Sequence, residues 1–79
     1  MVKKLIRHGG EVYSRVVETL DRVGGKALEI NLLEELKKRD VNLTLPELRR
    51  LLMKLEIHDK VRVLSLDEER KIVELIKRD

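Results

Sequence analysis

The stretch TLPELRRLLMKLEIHDKVRVLSLDEERKIVELI, residues 44–76, decides how the rest of the chain can fold. Leucines recur in its first part at intervals of three and four, at positions 45, 48, 51, 52 and 55. This spacing predicts a helix with one apolar face directed at a core. Thr44 and Glu47 have the spacing of a capping box, and Pro46 is tolerated in a first helical turn. The helix is therefore expected to begin directly after Thr44.

The residues after this helix predict a corner, a strand and a further apolar segment. Asp59 is the corner residue best suited to a left-handed backbone conformation. Valines alternate with other side chains in the predicted strand 60–66. Segment 67–77 contains either a strand, 70–76, that completes a hairpin, or a helix, because acids lie at its amino end and cations at its carboxyl end. We prefer the hairpin, since the first strand would otherwise have only a brief partner.

Upstream, the sequence predicts a long helix and a short strand. Residues 11–23 have a helical apolar period, and Gly24 supplies a left-handed stop. Residues 26–30 alternate in the manner of a brief strand. Residues 1–10 carry several cations and end at Gly9-Gly10, so they form either a basic arm able to lie along phosphates or a frayed terminus.

A second helix is predicted over residues 31–39, capped by Asn31 with Glu34 at the capping-box position. The short connection 40–43 makes this helix a close neighbour of the helix after Thr44, at the steep angle of a helix-turn-helix. The core is expected to bury leucines of the last helix against apolar residues of the first two. These residues are Leu48, Leu52 and Leu55, packed against Val16, Leu20 and Leu36.

Length and composition limit the classes of protein to which this chain can belong. A chain of 79 residues without cysteine is one domain with no disulfide framework and no thiolate metal site. It contains no apolar run long enough to cross a membrane and no signal-peptide core, so a cytoplasmic location without membrane association is expected. Charged residues make up 42% of the chain and glutamine is absent, a bias typical of hyperthermophile proteins. A thermophilic, archaeal source is therefore expected.

The charge balance is mildly basic. A net charge of +3 permits nucleic-acid binding without requiring it. Tyr13 is the single aromatic residue, so the platform on which single-stranded nucleic acids stack is missing. A duplex is thus favoured over a single strand as a nucleic-acid partner.

The order of helix, short strand, helix, turn, helix, strand, turn and strand resembles the winged helix-turn-helix superfamily, especially small archaeal winged-helix proteins. The segments that carry the resemblance are GGKALEI (24–30), NLLEELKKR (31–39), TLPELRRLLMKLE (44–56) and LEIHDKVRV (55–63). The resemblance implies an α+β fold, with a three-helix core, a small antiparallel sheet and one wing hairpin. It divides the chain into a basic arm, 1–10, and a winged-helix domain, 11–79.

The resemblance also implies double-stranded DNA binding, with the third helix in the major groove and the wing beside the phosphates. Arginines on the outer side of that helix can donate two hydrogen bonds to guanine or pair with phosphate. The candidate residues are Arg49, Arg50 and Lys54 on the helix, and Lys60, Arg62, Arg70 and Lys71 around the wing. A transcriptional regulator or a chromatin-associated nucleoid protein is expected. A homodimer is expected too, because one small recognition helix makes few contacts.

The charges at the predicted wing tip favour an alternative to DNA binding. Asp67, Glu68 and Glu69 lie where a wing inserted into the minor groove would carry cations. The alternative function is a protein–protein interaction module of a larger assembly.

Catalysis has little support in the sequence. His8 and His58 are the only histidines, and no spacing joins a nucleophile, a base and an orienting acid. His58 and Asp59 are too few ligands for a metal, so His58 is interpreted as a turn residue. We therefore expect neither an enzyme nor a cofactor, metal or small-molecule ligand.

Overall fold

The computed structural model describes residues 3–77, with side chains described from residue 11 onward. The described residues form an α+β fold with three helices and three strands. The elements in chain order are α1 (Lys3–Arg22), β1 (Lys26–Leu28), α2 (Glu29–Lys38), α3 (Leu45–Ile57), β2 (Val61–Ser65) and β3 (Lys71–Leu75). None of the described helices has the length and apolar character needed to span a membrane.

Helix α3 begins as its sequence predicts. The Thr44 hydroxyl accepts a hydrogen bond from the Glu47 amide at 3.2 Å, and the Glu47 carboxylate accepts one from the Thr44 amide at 2.8 Å. Both arms of the capping box are thus present, with Pro46 in the first turn. The predicted start of the helix is confirmed.

All three described helices end with the same hydrogen-bond pattern. The residue in the left-handed conformation is Gly24 after α1, Asp40 after α2 and Asp59 after α3. The amide that follows each of these donates to a carbonyl five residues earlier, at Leu20, Leu36 and Leu55. This is the Schellman motif, which satisfies carbonyls that a helix end leaves unpaired. The predicted roles of Gly24 and Asp59 are confirmed.

The core joins all three helices to the hairpin. The predicted leucines of α3 are buried together with Val16, Leu20 and Leu36, as the helical period indicated. Val61 and Val73 contribute buried side chains from the two strands of the hairpin. The apolar stripe of α3 therefore fixes which of its side chains face outward.

The three strands form one antiparallel sheet in the order β1-β3-β2. In the hairpin, Val63 lies opposite Val73, and Leu64 lies opposite Ile72. The preferred hairpin is confirmed, and the alternative helix over 67–77 is wrong. Strand β3 lies between β1 and β2, so burial on the sheet and pairing on both edges outweigh the helix-like charge pattern of that segment.

Two predicted boundaries next to Glu29 differ from the structure. Helix α2 begins at Glu29, directly after β1, and its N-cap residue Leu28 makes no side-chain capping bond. The predicted cap at Asn31 is therefore wrong, and the predicted strand 26–30 ends two residues early. The carboxylate of Glu29 lies in the first turn, where it complements the helix dipole without an N-cap side chain.

Helix α1 also begins earlier than the sequence predicts. Its backbone is helical from Lys3 and continues through Gly9-Gly10, where a break before residue 11 was expected. The side chains of the predicted basic arm, 1–10, lie outside the described residues.

We expect Leu52→Ala to lower the free energy of unfolding by about 2 to 5 kcal/mol, because it removes a buried side chain and leaves a cavity in the core. Chemical denaturation measures the change. Its control is Met53→Ala on the adjacent, exposed position, for which we expect a change within about 0.5 kcal/mol. Equal losses in the two variants would contradict the assigned orientation of α3.

Candidate nucleic-acid interface

The predicted cations of α3 lie on two different flanks of the helix. Leu48, Leu52 and Leu55 face the core. Arg49 lies toward the start of α2, where it contacts Glu29. Arg50 and Lys54, one helical turn apart, lie on the other flank beside Tyr13 of α1. The structure therefore separates Arg49 from the other two.

Arg49 is held by a buried carboxylate. Its Nε lies 3.2 Å from each carboxylate oxygen of Glu29, and a terminal nitrogen lies 3.1 Å from Oε1. Glu29 is buried, whereas the Arg49 side chain is 44% exposed. A buried carboxylate is costly without a partner, so this pair ties the first turn of α2 to α3. The guanidinium of Arg49 thus already has a role within the fold.

Arg50, Lys54 and Lys60 form a surface that we call the basic stripe. All three are exposed. Arg50 and Lys54 line one groove with Tyr13, and Lys54 and Lys60 line a second groove with Tyr13 and His58. Within the part of the chain that the structure describes, none of the three makes an ion pair or a side-chain hydrogen bond. Their charges are therefore directed at solvent.

Two residues beside the basic stripe were not among the predicted site residues. Tyr13 lines both grooves, whereas the sequence places it on the apolar face of the first helix without assigning it to a site. Its position on the same helical face as Val16 and Val17 was the available signal. Glu47 lies at the end next to Arg50, and its hydrogen bonds with the Thr44 backbone and hydroxyl, with a smaller effect of the Arg50 charge, hold the pKa of its carboxyl below the ordinary value.

The cations of the wing are divided between the two faces of the sheet. Arg62 lies opposite Glu74, with 3.9 Å between Nη1 and Oε1, and Lys26 approaches the other oxygen of Glu74 at 3.8 Å. Side chains alternate along a strand, so Lys71, opposite Ser65, lies on the other face. Lys71 is half-buried and makes no ion pair within the described residues. Arg62 and Lys71, two of the candidate DNA-binding residues around the wing, therefore do not lie on one face of the sheet.

At the wing tip, Asp67 organises the turn. One of its oxygens accepts hydrogen bonds from the amides of Glu69 and Arg70, at 2.9 and 2.7 Å. The other oxygen lies 2.9 Å from Nε of Arg70. Arg70 therefore partly neutralises the acidic tip and is itself engaged by it. Glu68 and Glu69 remain exposed.

Among the described residues no group of three or more histidine or acidic side chains is placed to hold a metal ion. Comparison of the chain with protein families, with curated proteins and with solved structures gives no match.

We expect Arg49→Ala to destabilise the fold by about 1 to 3 kcal/mol, because it leaves the buried Glu29 carboxylate without its charged partner. Arg50→Ala removes the same charge from the next position, and we expect it to change stability by no more than about 0.5 kcal/mol. Thermal and chemical denaturation of both variants measure the difference. Similar stabilities of the two would contradict the role of the Arg49–Glu29 pair.

The wing tip should respond to pH. Hydrogen bonds from the Arg70 and Glu69 amides, with the Arg70 side chain, hold the pKa of Asp67 below its ordinary value of 3.8. A lowered pKa in the folded state means that the ionised form adds stability above about pH 4, and that this stability is lost as the pH falls through the folded pKa. The stability difference between the parent and Asp67→Asn should therefore shrink between pH 7 and the acid range. Carbon-detected NMR should give Asp67 a titration midpoint below 3.8, and a midpoint at or above that value would contradict the proposed hydrogen bonding of the turn.

Proposed function

We propose that this protein binds double-stranded DNA through the outward side of α3. The observation that carries the proposal is the basic stripe: three exposed cations that lie along one flank of the predicted recognition helix and its corner without ion-pair partners in the described chain. Exposed cations without an ion-pair partner are available to neutralise phosphates and release their counterions. This release of counterions supplies most of the affinity of non-specific DNA binding.

The fold supports the same proposal. A helix pair followed by an antiparallel hairpin is compatible with a winged helix. In that arrangement the third helix enters the major groove. Arg50 lies in the middle of α3, on its exposed side, where a guanidinium can donate two hydrogen bonds to guanine or contact an adjacent phosphate. Lys54 and Lys60 are assigned to phosphates on the same flank, and Lys71 to the backbone beside the wing.

The engaged arginines have secondary roles in this proposal. Arg49 positions α3 through Glu29, so its contribution to DNA binding is indirect. Arg62 and Arg70 are each close to an acid, which reduces the charge they offer to a phosphate. The protein then acts as a small DNA-binding regulator or chromatin component rather than as an enzyme.

A protein–protein interaction module is the second candidate, and one observation favours it. Met53 and Ile57 are 60% and 72% exposed, and they lie one turn apart on the outward side of α3. In a DNA complex such side chains can contact thymine methyl groups. In a protein complex these two side chains would insert into an apolar groove of the partner. Binding to duplex DNA separates the two candidates.

Fluorescence anisotropy with a mixed-sequence duplex at several salt concentrations tests the proposed function. The logarithm of affinity should fall linearly with the logarithm of salt concentration. Arg50→Ala with Lys54→Ala should flatten the slope by about two units, one for each lost phosphate contact. If Arg50 instead reads a base, the single change should cost about 1 to 3 kcal/mol on the preferred sequence.

The matched control is Lys37→Ala with Lys38→Ala, which removes the same charge from the last turn of α2. We expect this control to keep the slope of the parent. Absence of duplex binding at low salt, or equal losses in the two double variants, would refute the DNA proposal and favour the interaction module.

A further inference from the structure

Strand β2 is an open edge of the sheet. It pairs with β3 on one side only, because the strand order is β1-β3-β2. Backbone bonds join Leu66 to Arg70 and Ile76 to Lys60, so the even-numbered residues of this strand direct their backbone groups toward β3. The amides and carbonyls of Val61, Val63 and Ser65 therefore point away from the sheet. They have no backbone partner within the described chain.

The solvent face of the sheet carries an apolar row that ends at this edge. Leu28, Ile72 and Leu64 lie directly opposite one another on β1, β3 and β2. None of them belongs to the residues packed on the core, and Leu64 is 43% exposed. The neighbouring row on the same face is the charged set Lys26, Glu74 and Arg62. An uncovered edge with an apolar row is a template for pairing with another strand.

The charges along this strand are arranged with opposite signs at its two ends. Lys60 and Arg62 lie at its start, and Asp67 and Glu68 follow its end. A strand with this polarity is complementary to a second copy of itself only when the two run antiparallel. Two-fold symmetry of a homodimer produces that arrangement.

We propose that β2 is the interface between two copies of this chain, which pair antiparallel about a two-fold axis at Leu64. Leu64 then lies opposite Leu64 of the second copy, and the apolar rows of both sheets become continuous. Lys60 lies beside the acidic turn of the second copy, which carries Glu68. The outward backbone groups of Val63 pair with those of Ser65, so two of the three outward-facing residues of the strand gain backbone partners.

The apolar pattern selects this register over the next possibility. Centring the axis on Val63 would pair the outward backbone groups of Val61, Val63 and Ser65, but it would place Leu64 opposite Arg62 and remove the Leu64–Leu64 contact that joins the two apolar rows. The axis at Leu64 places Arg62 opposite Leu66, at the outer end of the paired strands. Because register is set by which side chains meet on a face, the axis at Leu64 is the better match. Pairing of one short strand from each copy buries less than the roughly 1,600 Å² of a standard interface. The dimer should therefore dissociate on dilution.

This inference is independent of DNA binding, and its test contains no DNA. Lys60 belongs both to the basic stripe and to the proposed interface, so DNA would complicate the measurement. Sedimentation equilibrium from about 10 µM to 1 mM should show a monomer–dimer equilibrium for the parent. Leu64→Lys should abolish the dimer by placing two cations on the axis, whereas Met53→Lys, on an exposed position of α3, should retain it.

Charge exchange tests the identity of the partner. Glu68→Lys should weaken the dimer, and adding Lys60→Glu should restore it, because the exchanged pair is again complementary across the axis. No such rescue is expected if the strand meets a different protein.

A cross-link provides a readout that does not depend on the Leu64→Lys variant folding. The chain contains no cysteine, so Leu64→Cys introduces a single thiol. Facing residues of this type lie about 4.5 Å apart at Cα, within the range that a disulfide spans. Mild oxidation should link Leu64→Cys into a dimer much faster than Met53→Cys. A monomer throughout the concentration range, or equal cross-linking of the two thiols, would overturn the proposal.

Discussion

Burial of the leucine stripe of α3 is the constraint on which the rest of the structure depends. Leu48, Leu52 and Leu55 pack with residues of both other helices and of the hairpin, so the helix cannot rotate without exposing them. This fixes its outward side. Arg50 and Lys54 are thereby directed to solvent on one flank, and Arg49 is directed toward the buried carboxylate of Glu29 on the other. Packing of the core therefore decides which cations of this helix face solvent.

The pair of Glu29 and Arg49 shows how a cation on the predicted recognition helix can stabilise the fold and so be less available to an external ligand. A carboxylate at the start of α2 complements the helix dipole, but its burial requires a cation close by. Arg49 supplies that cation from α3 and positions the two helices relative to each other. The same principle operates on the wing, where Glu74 lies between Lys26 and Arg62. Cations of this kind cannot be counted as available to DNA without regard to their neighbours.

The features predicted correctly from the sequence are those determined by nearby residues. The capping box at Thr44, the left-handed corner at Asp59 and the leucine period of α3 are all local patterns. The start of α2 was wrong because Glu29 is stabilised by a residue 20 positions away, a contact that no local pattern contains. For the same reason the sequence grouped Arg49 with Arg50. Neighbouring arginines on a helix cannot be distinguished by sequence alone, because the folded structure determines which of them meets a buried carboxylate.

NMR titration of the labelled protein with a mixed-sequence DNA duplex tests the division of α3 into two flanks most directly. The side-chain Nε–Hε signal of Arg49 reports its bond to Glu29, and the signals of Arg50, Lys54 and Lys60 report the basic stripe. We expect the stripe signals to shift progressively with added DNA while the Arg49 signal stays in place. Movement of the Arg49 signal to a DNA-bound position, with the stripe unchanged, would contradict the proposed interface.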